Sequence, residues 1–145
     1  MNNNNINFRP SRTVAGTIME IVVAAQILVL WMLVLYLSQS DTACPALSLV
    51  RYSLFDTVLA VAMMVCCYFP KTFNMPVRHS RAEHYMVTIQ MIRVCSISMM
   101  PIFIAEIWEM ARPADAKVTE GVQLAFGCVL ILAVVYYLVK LFRMK

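Results

Sequence analysis

The chain has 145 residues, 61% of them apolar and 14% charged, with a net charge of +4 and a mean hydropathy of +0.73. Soluble domains run near about 45–50% apolar and about 25% charged, and one core of this size has no room for the excess. An ordinary soluble globule is thereby excluded, and burial in a lipid bilayer is the reading that follows.

Segment 1–12 opens with MNNNNINF, a low-complexity stretch expected to form a polar cytoplasmic tail. A crossing helix needs about 20 mostly apolar residues, and four stretches reach that length. The first spans about 13–37 and contains Glu20; it is longer than the apolar core of a signal peptide, about 7–15 residues. The second spans about 48–69, and its uninterrupted apolar part starts only after Asp56. The third spans about 85–108 and holds both Arg93 and Pro101; the fourth, about 122–142, is the least interrupted. Strand-like alternation is absent and backbone groups in lipid must bond within their own segment, so each span is expected to be a helix.

Basic residues set the expected threading. Arg9 and Arg12 precede the first span, Lys71, Arg78 and Arg81 separate the second from the third, and Lys140, Arg143 and Lys145 lie at the end of the fourth. These are eight on one side, against Arg51, Arg112 and Lys117, three in all, in the two other loops. By the positive-inside rule both termini are cytoplasmic. The expected fold is an all-α membrane protein, one domain over 1–145, with four transmembrane helices in two hairpins and both ends inside. Tyr36, Tyr68, Phe69, Tyr85 and Trp108 fall near span ends, where amphipathic rings settle.

Two opposite charges come to matching depth on different spans. Glu20 lies about 10 Å in from the start of the first span, and Arg93 about 12 Å in from the same side of the third. Ionisable groups inside a membrane face the bundle interior and find a partner, so an intramembrane ion pair Glu20–Arg93 is expected. Gly16 and Ala24, one turn either side of Glu20, would let another helix approach. Gln90 and Ser96 flank Arg93 at helical spacing and are expected to support it. Three roles stand open for the acid: a structural pair fixing which helices face each other, a proton- or substrate-handling carboxylate, or independent snorkelling of both groups to the interface. The structural pair leads.

Arg51, Asp56, Glu106, Glu109 and Arg112 form an outer-interface group, read as a solvated rim with an external cation site as the sharper alternative. Pro101 frees the carbonyl of Ile97 and is expected to kink the third helix, as a packing bend or, alternatively, a hinge; such prolines are tolerated where neighbours satisfy the freed group.

Catalytic and cofactor chemistry finds no footing. Cys44, Cys66, Cys67, Cys95 and Cys128 are odd in number and scattered, and the vicinal pair lies in apolar surroundings that make thiols inert. His79 and His84 sit outside the spans, five residues apart, so a haem held between two span histidines is not expected. Twelve methionines lack outward-facing paired clusters and read as adaptable packing. No phosphate loop, HExxH or GxSxG occurs. No metal or cofactor is expected, nor any enzymatic activity or nucleic-acid partner.

One segment carries a resemblance. FPKTFNMPVRHSRAEHYMVTIQMIRV, Phe69 to Val94, has an aromatic–Pro pair ending a helix, then Phe73, Asn74, Pro76 and Val77 as F-N-x-P-V, then a polar stretch with a tyrosine, then M-I-R. With the first span, its MEI and its Trp31 and Tyr36, this resembles a family of small bacterial integral-membrane proteins of unknown function. That domain is shared with immunity proteins that protect cells from a sporulation-delaying toxin. Glu20 and Arg93 fall on matching positions, whereas the loop SQSDTACPALSLVRYS lacks the histidine–phenylalanine pair and the glycine of that family. The resemblance implies a four-helix protein of the bacterial inner membrane. Its expected role is non-enzymatic, acting on another membrane component in an immunity- or regulator-like way. The rival expectation is a small proton-coupled exporter using Glu20.

Overall fold

The computed structural model describes residues 13–69 and 82–144. The motif residues Phe73, Asn74, Pro76 and Val77 lie outside this set, as does segment 1–12. Four α-helices run through the described residues: α1 (Val14–Ser38), α2 (Ala46–Cys66), α3 (Ala82–Ala111) and α4 (Ala116–Arg143). A single 3₁₀ turn, Pro113–Asp115, separates the last two. All four are long and apolar enough to cross a bilayer. At 1.5 Å per residue the shortest, α2 with 21 residues, reaches about 31 Å, against a hydrocarbon core of about 30 Å.

Local chemistry explains where the helices stop and start. Thr13 caps α1 by accepting a hydrogen bond from the Gly16 amide, at 3.2 Å. Proline at 113 disfavours helical backbone at Arg112, where φ is −135° and α3 has ended. Lys140 and Arg143 occupy the last turn of α4, complementing the negative end of its dipole. α3 and α4 reach beyond the apolar stretches read from the sequence, whereas α2 starts earlier, at Ala46, and ends at Cys66, short of 69. α3 begins at Ala82 rather than near 85, and α4 begins at Ala116 rather than near 122, because polar residues flanking an apolar run still continue the hydrogen-bonded ladder.

Packing centres on α3, which touches α1, α2 and α4. In α1, Gly16, Glu20, Val23, Ile27, Leu30, Val34 and Leu37 recur at alternating steps of four and three, the spacing of a seam facing a neighbouring helix. Along this seam Gly16, Val23, Leu30, Val34 and Leu37 are buried. Val23, Leu30, Val34 and Leu37 form one core with Leu49 and Ala60 of α2 and Met100, Ile107 and Ala111 of α3. No α4 residue belongs to that core. α4 lies against α3 with Thr119 and Leu141 buried, and presents Leu124, Ile131, Leu132 and Val135 outward. Outward apolar residues on every helix, such as Leu28, Phe55 and Leu132, fit a surrounding lipid phase and not water.

Candidate functional site: the polar seam between α1 and α3

Polar contacts join α1 to α3 along this apolar seam. Arg93 Nη2 donates to Glu20 Oε1 at 2.9 Å. The Arg93 side chain is 11% exposed and that of Glu20 29%, so the arginine is the deeper partner. Gly16 makes the approach possible, because a Cβ there would stand 2.7 Å from Arg93 Cζ and 2.9 Å from Nη2. The guanidinium therefore lies against α1 at Gly16, one turn before the carboxylate it binds. A charge-assisted bond of this kind is strong in a low dielectric, and its loss on one side leaves an uncompensated charge.

The second contact lies two turns further along α1. Gln26 Nε2 donates to the carbonyl oxygen of Ile97 at 3.2 Å. That carbonyl is the one Pro101 deprives of its intrahelical donor. Gln26 was not singled out by the sequence, although a lone amide in an apolar run, at a depth comparable to a helix-breaking proline on another span, was the available signal.

Gln90 and Ser96 do not bond the guanidinium among the described residues. Gln90 is exposed beside a cleft that Arg93 also lines, and Ser96 is 1% exposed with its hydroxyl unpartnered. Arg93 Nε is likewise buried without a partner. Glu20 shows its remaining surface to a different cleft, between α1 and α2, walled by Val23, Ile27, Val61, Met64 and Tyr68.

The outer-end charges separate. Arg51 and Glu106 are exposed, whereas Asp56 is 6% exposed and feels the like charge of Glu106 across the α2–α3 contact. Glu109 Oε2 accepts from Thr119 Oγ1 at 3.2 Å and Gln123 Nε2 at 3.3 Å, tying α3 to α4. Arg112 stacks 5.0 Å from the centre of the Trp108 ring. Trp31 Nε1 donates to Thr57 Oγ1 at 3.0 Å, which itself donates to the Ser53 carbonyl at 2.7 Å, linking the middles of α1 and α2. No group of three or more metal-ligating side chains occurs among the described residues.

No family model, curated protein or solved structure matches the chain. Four apolar helices define a multi-pass membrane protein.

Proposed function

We propose that this chain is a non-enzymatic protein of the bacterial inner membrane that acts by contact with another membrane component. The observation supporting this reading is the Glu20–Arg93 bond at 2.9 Å. A carboxylate that cycles protons must be released and recaptured in each turnover, and one held by an arginine on the adjacent helix is poorly placed for that. The immunity- or regulator-like assignment draws on the resemblance of Phe69–Val94 and the first helix. Crosslinking in native membranes tests it: a specific second protein is expected, and recovery of this chain alone contradicts it.

The helices are arranged as two hairpins with both termini cytoplasmic. In support, Glu20 near the start of α1 lies by Tyr68 beyond the end of α2, Trp31 bonds Thr57 midway, and Leu37 at the end of α1 packs in one cluster with Leu49 near the start of α2. His84 near the start of α3 meets Met144 after α4 in the same sense. The eight-to-three distribution of basic residues orients the pair of hairpins. A reporter joined after Lys145 is expected in the cytoplasm; an external signal overturns the layout.

The exporter reading keeps one observation in its favour, the open apolar cleft on which Glu20 looks out. Proton movement driven by an apolar cation in reconstituted vesicles, abolished by Glu20→Gln, would establish it.

A further inference from the structure

At the end of the bundle where Thr13 opens α1 and Met144 follows α4, three helices enclose a cleft of about 200 Å³. α1 contributes the turn around Gly16, α3 the face carrying Arg93, and α4 Tyr137. The cleft is smaller than the roughly 300–1,000 Å³ of drug-sized ligand sites, so a compact group suits it better than an extended molecule. Among the described residues Arg93 is the one charged residue that lines it, and Glu20 is not part of its wall.

The hydrogen-bonding of Arg93 is incomplete. Among the described residues its guanidinium makes one hydrogen bond, through Nη2 to Glu20, which leaves other donors of the fork open, while Nε is buried out of a ligand's reach. The lining adds the Gln90 amide and the Tyr137 hydroxyl as further donors. The N-terminal turn of α1 also opens here through Ala15, and helix N-termini favour negative charge. An acceptor-rich, negatively charged group is the chemistry that completes this set. Arginine forks match phosphate oxygens in geometry.

A phosphate ester could arrive from water or from lipid. The remaining wall is Met19, Met86 and Ile89, which repels a hydrated free anion and suits the glycerol and first methylenes of a lipid. Side chains on a helix lean toward its N-terminus, so Arg93 reaches toward this end of the bundle, and its guanidinium lies beside Gly16, near the start of α1. That is the level at which headgroups meet the ends of bilayer-spanning helices. Apolar α4 residues such as Val135 and Val139, either side of Tyr137 in sequence, stand exposed. We infer that this cleft binds the phosphate of an anionic phospholipid, with the Arg93 guanidinium as its cation and Gln90 and Tyr137 as neutral donors. The site needs no protein partner and stands whether or not the chain acts on one.

The test is native mass spectrometry of the full chain released from detergent, titrated with phosphatidylglycerol or with diacylglycerol of the same acyl chains, which lacks the phosphate. The wild type is expected to bind phosphatidylglycerol about tenfold more tightly, the worth of one charge-assisted hydrogen bond. Glu20→Gln with Arg93→Gln removes the cation while leaving no unpaired charge, and should erase the preference. Should that variant fail to fold, Gln90→Ala with Tyr137→Phe spares the ion pair and is expected to reduce the preference several-fold. Equal binding of the two lipids by wild type overturns the proposal. So does a preference that survives in the variants, which would place it on other basic residues. Displacement of phosphatidylglycerol by millimolar inorganic phosphate contradicts the lipid and points to a soluble anion.

Discussion

The side-chain amide of Gln26 on α1 meets the carbonyl of Ile97 on α3, 3.2 Å away, at the position where Pro101 leaves that carbonyl without a donor in its own helix. A break in one helix is thus closed by a side chain from another. In lipid no water is at hand to do so, and an unsatisfied backbone group is costly. The contact satisfies the carbonyl that Pro101 frees and so lets α3 continue through the break.

The two residues should therefore be coupled. Gln26→Leu is expected to cost about 1 kcal/mol, within the range of interhelical hydrogen bonds in membranes. With Pro101→Ala the Ile97 carbonyl regains an intrahelical donor, and the same Gln26→Leu change should then cost little. A double-mutant cycle of unfolding in mixed micelles reads the coupling directly. Equal costs in both backgrounds would show that Gln26 serves something other than the freed carbonyl.

Gly16 supplies room, not backbone freedom, because its conformation is helical. Gly16→Ala places a methyl within 2.7 Å of Arg93 Cζ and forces the guanidinium away from α1. The guanidinium is the free end of a flexible side chain and can swing aside, so the expected loss is about 1 kcal/mol, set by how far its bond to Glu20 weakens. In the Glu20→Ala, Arg93→Ala double variant the methyl meets no guanidinium, and Gly16→Ala should become neutral or better. Gly121 and Gly127 on α4 have open space around them, so alanine there is expected to be tolerated.

His84, 3% exposed, holds the far end of α4: its Nε2 lies 3.1 Å from the Met144 carbonyl oxygen. A carbonyl only accepts, so Nε2 carries the hydrogen. α4 contributes nothing to the central core, and its end depends on contacts of this kind. His84→Ala should speed amide exchange in the last turn of α4 about fivefold, corresponding to roughly 1 kcal/mol. Exchange in α1 and α2 should stay unchanged. A uniform rise across all helices would mean that α4 is coupled to the whole bundle.

Much of this arrangement was legible in composition and depth. Four long apolar runs could only be helices in lipid, and two opposite charges at equal depth pointed α1 toward α3. Distances supplied what spacing could not. Gln90 and Ser96 sit at the right intervals around Arg93, yet a helix face is broad and a guanidinium bends toward whatever room it finds, in this bundle Gly16. Gln26 escaped attention because a neutral amide is a weak signal beside a carboxylate, although the carbonyl it serves could be named from Pro101 alone. Asp56 looked like part of a solvated rim; its burial depends on how α2 rotates against α3, which no local pattern encodes. The peripheral position of α4 was also hidden, since a helix facing lipid and one facing protein are equally apolar.

On this account Glu20 is kept as the structural partner of Arg93. The direct measurement is membrane accumulation and monodispersity of Glu20→Ala, Arg93→Ala and the double variant, side by side. Each single variant leaves one charge uncompensated, at a cost of a few kcal/mol, and is expected to accumulate poorly. The double variant should recover. The swap Glu20→Arg with Arg93→Glu should recover less, because α3 has no glycine to make room for a guanidinium. If Glu20→Ala accumulates and behaves as wild type does, the carboxylate is not retained for structure, and the pair is not what joins α1 to α3.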